Sequence, residues 1–445
     1  MRRHFPLFFI ALGLIALLIG GLIGVLISIT YLDPTFLKEF IPFNQLRPMH
    51  TTTVVSWIVL AATGGVYHYI SQVEQFKLYS SKLGVLHFVL FALTGAAIYI
   101  SLLSGNMGGR EYLEYLPILT VPILFGWLLF GFNYFRTLFG KIKNRPVYFW
   151  MWGTGIVFMI YHLSESHFWI FSDIRNDFIK DMGIQWKSYG SFVGSWNMLI
   201  YGTAIYLMSK IKKDDNIGRG KVAFFFYFLG LTNLMFGWAH HTYILPNAPW
   251  IRYVAYAISM SEWIIFIHII YNWAKSLSKS TKAENILAYR FLMASEFWVF
   301  VNLVLALIMS IPAFNYYMHG THITVAHSMG TTIGINTSIL LASITFIVQK
   351  LSKENATTNK TIKYGFVLFN ISLMLFWLSL IIGGIYKAIW VANAENNAFS
   401  QLHESSSSVF LIFIISGGLL FTSLLLIGLP LLKRLHAFYL EKTQW

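Results

Sequence analysis

Apolar runs of roughly 20 residues, the length that carries a helix across a bilayer, alternate along nearly the whole chain with short polar segments. Twelve such runs are predicted as spans, near 7–31, 50–73, 83–104, 116–138, 147–171, 188–209, 221–244, 250–274, 291–312, 322–348, 363–391 and 408–432. The longest connections, near 172–187, 275–290, 349–362 and 392–407, are short. The pattern predicts an all-α integral membrane protein in which residues 1–445 form a single transmembrane domain, with no soluble domain, low-complexity tract or internal repeat. The first run is too long for the apolar core of a signal peptide and no small-residue cleavage site follows it, so it is expected to be retained.

Composition agrees: 56% of the 445 residues are hydrophobic and 11% are charged, which is too apolar for a soluble protein of this length. The net charge of +14 raises nucleic acid as a partner, but its distribution explains it without one. With the N-terminus in the cytoplasm, all the Lys and Arg except Lys38, Arg47, Arg110, Arg175, Lys180, Lys187, Arg252 and Lys387 fall at inward span ends and loops, including the run "KIKKDDNIGRGK" at 210–221. This bias predicts both termini cytoplasmic and residence in the inner (cytoplasmic) membrane. Cysteine is absent, which excludes disulfides, thiolate metal sites, iron–sulfur clusters and a covalently attached c-type haem.

Fourteen histidines then need an account, because polar side chains inside a bilayer are costly and usually face a cavity, a cofactor or one another. The topology puts His50, His162, His167, His240, His241 and His327 in the outer part of spans 2, 5, 7 and 10, with His319 and His322 just outside. Such a layer at one depth suits a cofactor. His68, His87 and His268 lie toward the inner side and read as hydrogen-bonded packing residues. Adjacent imidazoles at His240-His241 suit iron, copper or zinc, or an interfacial pair facing water. In "AHSMG" (326–330), His327 and Met329 lie two residues apart, about 200° around a helix, so that one helix could present a ligand on each flank.

"LRPMHTT" (46–52), "AHHTY" (239–243) and "NYYMHGTHITVAHSMG" (315–330) together resemble subunit I of the haem–copper oxidase superfamily, nearest to the nitric oxide reductase large subunit and the cbb-type cytochrome c oxidases. The resemblance covers nearly the whole chain. It implies a bundle with two b-type haems, one low-spin and one high-spin, and a non-haem iron or copper facing the second. His50 would then be an axial ligand of the low-spin haem, His327 the proximal ligand of the high-spin haem, and His240 and His241 ligands of the non-haem metal. Glu262, in "SEW", would be a buried acid linked to proton delivery, with a hydrogen-bonded structural carboxyl as the alternative. Arg47 would neutralise haem propionates or anchor the interface.

Two departures stand out. Where the family has a second histidine on span 10, this chain has Met329; His/Met ligation is chemically sound and raises a haem's potential relative to bis-His. The histidine that the family places on span 6 is missing as well, its position falling at Tyr189 or Gly190, and Val193, Gly194, Asn197 or Met198 stand where nitric oxide reductases have glutamates. Tyr189, or Glu165 in "YHLSESH" on span 5, is a candidate replacement, along with His162 and His167.

The implied activity is a terminal reductase that passes electrons through the low-spin haem to the high-spin site, where a diatomic gas, NO or O2, is reduced. Nitric oxide to nitrous oxide is the expected reaction, with oxygen reduction as the alternative. A cytochrome c-type subunit or a soluble donor on the outer face would supply electrons. Sparse carboxylates and no lysine inside a span favour a reductase that does not pump protons. A secondary transporter also fits twelve spans, although the histidine layer argues against it. The missing span 6 histidine keeps open an altered haem relative acting as electron conduit, NO sensor or NO dismutase.

Overall fold

The computed structural model describes residues 4–73, 76–259, 261–352, 359–393 and 398–443. Arg2, Arg3 and Lys353, assigned above to the inward side, and parts of the predicted loops near 349–362 and 392–407 lie outside these residues. The first half of the chain contains α1 (Phe5–Ile29), α2 (Phe43–His68), α3 (Ser81–Leu103), α4 (Thr120–Leu138), α5 (Val147–Glu165), the short α6 (Ser172–Arg175), α7 (Phe178–Lys212) and the short α8 (Asn216–Arg219). The second half contains α9 (Lys221–Phe236), α10 (Pro249–Ile258), α11 (Ser261–Ser276), α12 (Lys279–Glu284), α13 (Ile286–Ser310), α14 (Pro312–Met318), α15 (His322–Met329), α16 (Ser338–Leu351), α17 (Lys360–Ala392) and α18 (Phe399–Thr443). No strand occurs among the described residues.

Ten helical segments among the described residues are long and apolar enough to cross a membrane. Predicted spans 5 and 6, now α5 and α7, fall outside that set. The reason is chemical. These helices pack on each other in the bundle interior and carry Trp, Tyr, Ser and His where a lipid-facing helix would carry Leu and Ile. Helix α7 also begins ten residues before the predicted span, because the Asp177 carboxylate caps it, accepting from the amides of Ile179 and Lys180 at 3.1 Å and satisfying N–H groups that a helix start leaves unpaired.

Three predicted spans are interrupted. Span 7 stops at Phe236 and continues as a 3-10 turn over Gly237–Thr242. Span 8 breaks after Ile258, where Ser259 turns out of the helix with ψ at 123°. Span 10 passes from α15 into a π-helical stretch, Gly330–Thr337, before resuming as α16; π segments put an extra residue into a turn and recur at functional sites. All three interruptions fall beside the residues singled out above.

The core runs along α2, α7 and the α15–α16 line, with buried Trp57, Trp152, Trp263 and Trp298 filling it. Glycines let α1 lie directly on α2: a Cβ at Gly13 would stand 3.1 Å from the Ala61 amide, and one at Gly64 would stand 2.8 Å from the Pro6 carbonyl. These pairs run in opposite sequence directions, so α1 and α2 are antiparallel. The Trp57 indole donates to Thr337 Oγ1 at 3.0 Å, and the Tyr69 hydroxyl meets Ser343 Oγ at 2.6 Å. These run in the same direction, so α2 and α16 are parallel.

Candidate haem and substrate site

His50 sits two turns into α2. Its Nδ1–H donates to the Gly20 carbonyl of α1 at 2.9 Å, which fixes the tautomer and leaves Nε2 free, as is usual for a ligating imidazole. The contact needs the "GGLIG" stretch of α1, since a Cβ at Gly24 would lie 2.8 Å from His50 Cε1.

Two independent registers give the depth of Met329. The rings of Tyr31 and His322 meet at 5.6 Å, with Phe410 against both. Gly24 lies seven residues back from Tyr31, and Met329 seven residues on from His322, each about 10 Å along its helix. From the other side, Trp57 pairs with Thr337, and His50 and Met329 lie seven and eight residues before them. Both routes put Met329 level with His50. Its side chain packs against the apolar cluster of Leu305, Met309, Ile323, Ala326 and Leu380.

His327 lies on the opposite flank of α15. Its ring stacks on Trp263 of α11 at 6.3 Å, and its Nδ1 is buried with no hydrogen-bond partner. The end of α15 is pinned from α13: Asn302 Nδ2 donates to the His327 carbonyl at 3.0 Å and to Thr331 Oγ1 at 2.7 Å. Gly330 makes room for that amide, because a Cβ there would lie 2.5 Å from Asn302 Oδ1.

His240 and His241 occupy the 3-10 turn, with rings 4.2 Å apart. His327 and His319 lie near the pair. The Ser259 hydroxyl lies 3.3 Å from His240 Nδ1. Against His241 stands Gly190 of α7: a Cβ there would be 2.9 Å from His241 Cδ2 and 3.3 Å from Nε2. Of the two positions where the span 6 histidine was expected, Gly190 is therefore the one that faces the pair. No group of three or more His, Cys, Asp or Glu able to hold a metal forms among the described residues.

Glu262 is buried at the start of α11. Asn233 Nδ2 donates to its Oε1 at 2.7 Å, while Oε2 has no hydrogen-bond partner. Gly237 is required here, since a Cβ would fall 1.9 Å from Asn233 Oδ1. Replacing Asn233 by leucine is expected to lower gas reduction by about 100-fold, the low end of what a positioned proton-transfer group contributes, with the haem absorption spectrum unchanged. A wild-type rate would show that the hydrogen bond from Asn233 does not position Glu262 for the reaction.

The other expected residues lie apart from the pair. Tyr189 packs edge-on against Tyr112 at 5.5 Å, facing the loop between α3 and α4. In that loop Glu114 pairs with Arg47 at 2.5 Å, and Glu111 lies 3.6 Å from the same guanidinium. Burial pushes the Glu114 carboxyl above its usual range, even with Arg47 beside it. Arg47 is thus already engaged by carboxylates. Glu165 accepts from Lys187 and lies 2.9 Å from His162 Nδ1, forming a triad between α5 and α7. The mutation Lys187→Met leaves that buried carboxylate with His162 alone and is expected to cost about 3 kcal/mol, read as a lowered thermal midpoint of the purified protein. His167 is held by Thr120 and the Leu163 carbonyl, both at 2.9 Å, and His268 by Asn272 at 2.9 Å. His87 is wedged among Phe9, Phe91 and Tyr67.

Sequence reasoning missed Gly20, Gly24, Asn233, Trp263 and Asn302. The closely spaced glycines of "GGLIG" were the one visible signal; the asparagines and the tryptophan resemble any other span residue until the helices pack.

The donor set fits haem: free Nε2 on His50, a thioether level with it, and an unpartnered imidazole nitrogen on the opposite flank. It does not fit a non-haem metal held by three side chains.

The family model described as cytochrome c and quinol oxidase polypeptide I matches residues 5–420. A nitric oxide reductase chain of Stutzerimonas stutzeri is 23% identical over 416 residues, 86% of this chain and 84% of that protein. The cytochrome c oxidase subunit 1 of Rhodobacter capsulatus is 20% identical over 419 residues, 90% and 79% of the two chains. A haem–copper terminal oxidase dimer solved by cryo-EM superposes with a TM-score of 0.75 at 14% identity, covering 98% of this chain and 84% of its own.

Proposed function

The chain belongs to the haem–copper oxidase subunit I family as a divergent member, and from that premise we propose that it is a membrane-bound terminal reductase converting nitric oxide to nitrous oxide. In this proposal it crosses the inner membrane twelve times, both termini are cytoplasmic, and a cytochrome c-type subunit or soluble donor docks on the outer face.

The observation that carries the proposal is the arrangement around α15: Met329 level with His50 on one flank, and His327 beside Trp263, the histidine pair and Glu262 on the other. His50 and Met329 would hold the low-spin b haem and His327 the high-spin one. Haem iron supplies the redox chemistry and an open coordination position for a diatomic gas.

The chain's own contribution is positioning. The Gly20 carbonyl orients the His50 ring, and Asn302 fixes the backbone that presents His327. Glu262 would hold a proton at Oε2, with Asn233 fixing the other oxygen. That buried acid, and the 23% identity to a nitric oxide reductase chain, favour NO over O2. Gly190 favours a second reading, an altered haem relative serving as electron conduit, NO sensor or NO dismutase.

Purified protein given a reduced donor is expected to consume NO and release N2O, one for every two NO, with two electrons and two protons. Oxygen consumption without N2O formation would instead assign an oxygen reductase.

A further inference from the structure

We infer that His240 and His241 form a metal-free imidazole pair, so that the gas-binding site has the high-spin haem as its only metal centre; this rests on the haem reading above. The position from which α7 would contribute a third ligand is filled by its own backbone. Gly190 is seated against the His241 ring, and any side chain there would displace the imidazole.

The rest of that α7 face is built for close approach. Ser191 Oγ donates to the Leu234 carbonyl of α9 at 3.1 Å. A Cβ at Gly194 would stand 3.2 Å from Leu234, and one at Gly230 would stand 3.1 Å from Met198. None of these residues is a good metal donor. None of the four candidate replacements joins the pair in a metal-holding group among the described residues: Tyr189 turns toward Tyr112, Glu165 and His162 are bound to each other and Glu165 to Lys187, and His167 is held by Thr120 and the Leu163 carbonyl.

The remaining imidazole nearby, His319, packs at a tilt against Trp186, one turn from Gly190, with ring centroids 5.3 Å apart, and joins no group able to hold a metal among the described residues. His240 Nδ1 is met by the neutral Ser259 hydroxyl, which Ser310 backs at 3.4 Å. Two imidazoles alone are a poor site, because closed protein metal sites take about four ligands and open ones about three. The pair instead offers hydrogen-bonding nitrogens to a gas molecule on the His327 haem.

The test is the metal content of the purified full-length protein, with any donor subunit that accompanies it. Iron should equal total haem, with copper, zinc and manganese each well below one per chain, and ferric high-spin haem should give an uncoupled axial EPR signal. One non-haem metal per chain that is lost in His241→Ala or His319→Ala, with haem content unchanged, would overturn the inference. So would a high-spin haem made EPR-silent by coupling to a second paramagnetic ion. A metal retained in both variants lies elsewhere and leaves the inference standing. Haem is measured in the same sample: a preparation without haem would sink the functional reading, while metal content would still decide this one.

Discussion

A His327→Ala protein is expected to carry one haem per chain fewer than the wild type, to lose its carbon monoxide difference spectrum, and to reduce gas only at background rate. No other imidazole can take over. His322 lies five residues earlier on a different face, with its ring against Tyr31 and Phe410, and His240 and His241 come from the neighbouring 3-10 turn. Asn302 donates to the His327 backbone, not to its ring, so truncating the side chain leaves the α15 to π-helix junction intact and the loss can be assigned to ligation. Haem content by pyridine haemochromogen and CO binding on the same sample check it. Unchanged CO binding would mean that the gas-binding haem hangs from another residue.

At Met329 the expected effects differ between substitutions. Met329→Leu should remove the sixth ligand and turn the low-spin spectrum into a five-coordinate one. Met329→His should keep a low-spin haem and move its potential downward by a sizeable part of the roughly 0.8 V that axial ligands span. The shared depth of His50 and Met329 rests on two sets of contacts, one through α1 and one through α16. His322 occupies the same face of the helix seven residues earlier, but is displaced by about 10 Å along the axis. Redox titration of each variant reads the shift, and a spectrum unmoved by both substitutions would exclude Met329 as a ligand.

Much of this was legible before folding. Long apolar runs admit helices as the only way to satisfy backbone groups in lipid. The opposite placement of His327 and Met329 follows from helical period alone. The family resemblance rested on three short motifs, each on one helix. What depended on a single segment could be read.

What depended on two segments could not. The interruptions of predicted spans 7, 8 and 10 are invisible to hydropathy, because a 3-10 turn, a turn at a serine and a π segment have the same composition as the helix they break. Spans 5 and 6 looked alike as apolar runs, yet their aromatic and polar content marks interior helices. The sequence by itself determined the helical membrane class, the donors on offer and the angle between His327 and Met329, since these depend on composition and local period. Tertiary packing alone decided that Met329 is level with His50, that Gly190 stands against His241 in place of a ligand, and that Asn233 holds Glu262. Each of those depends on the register between helices, which no single helix encodes.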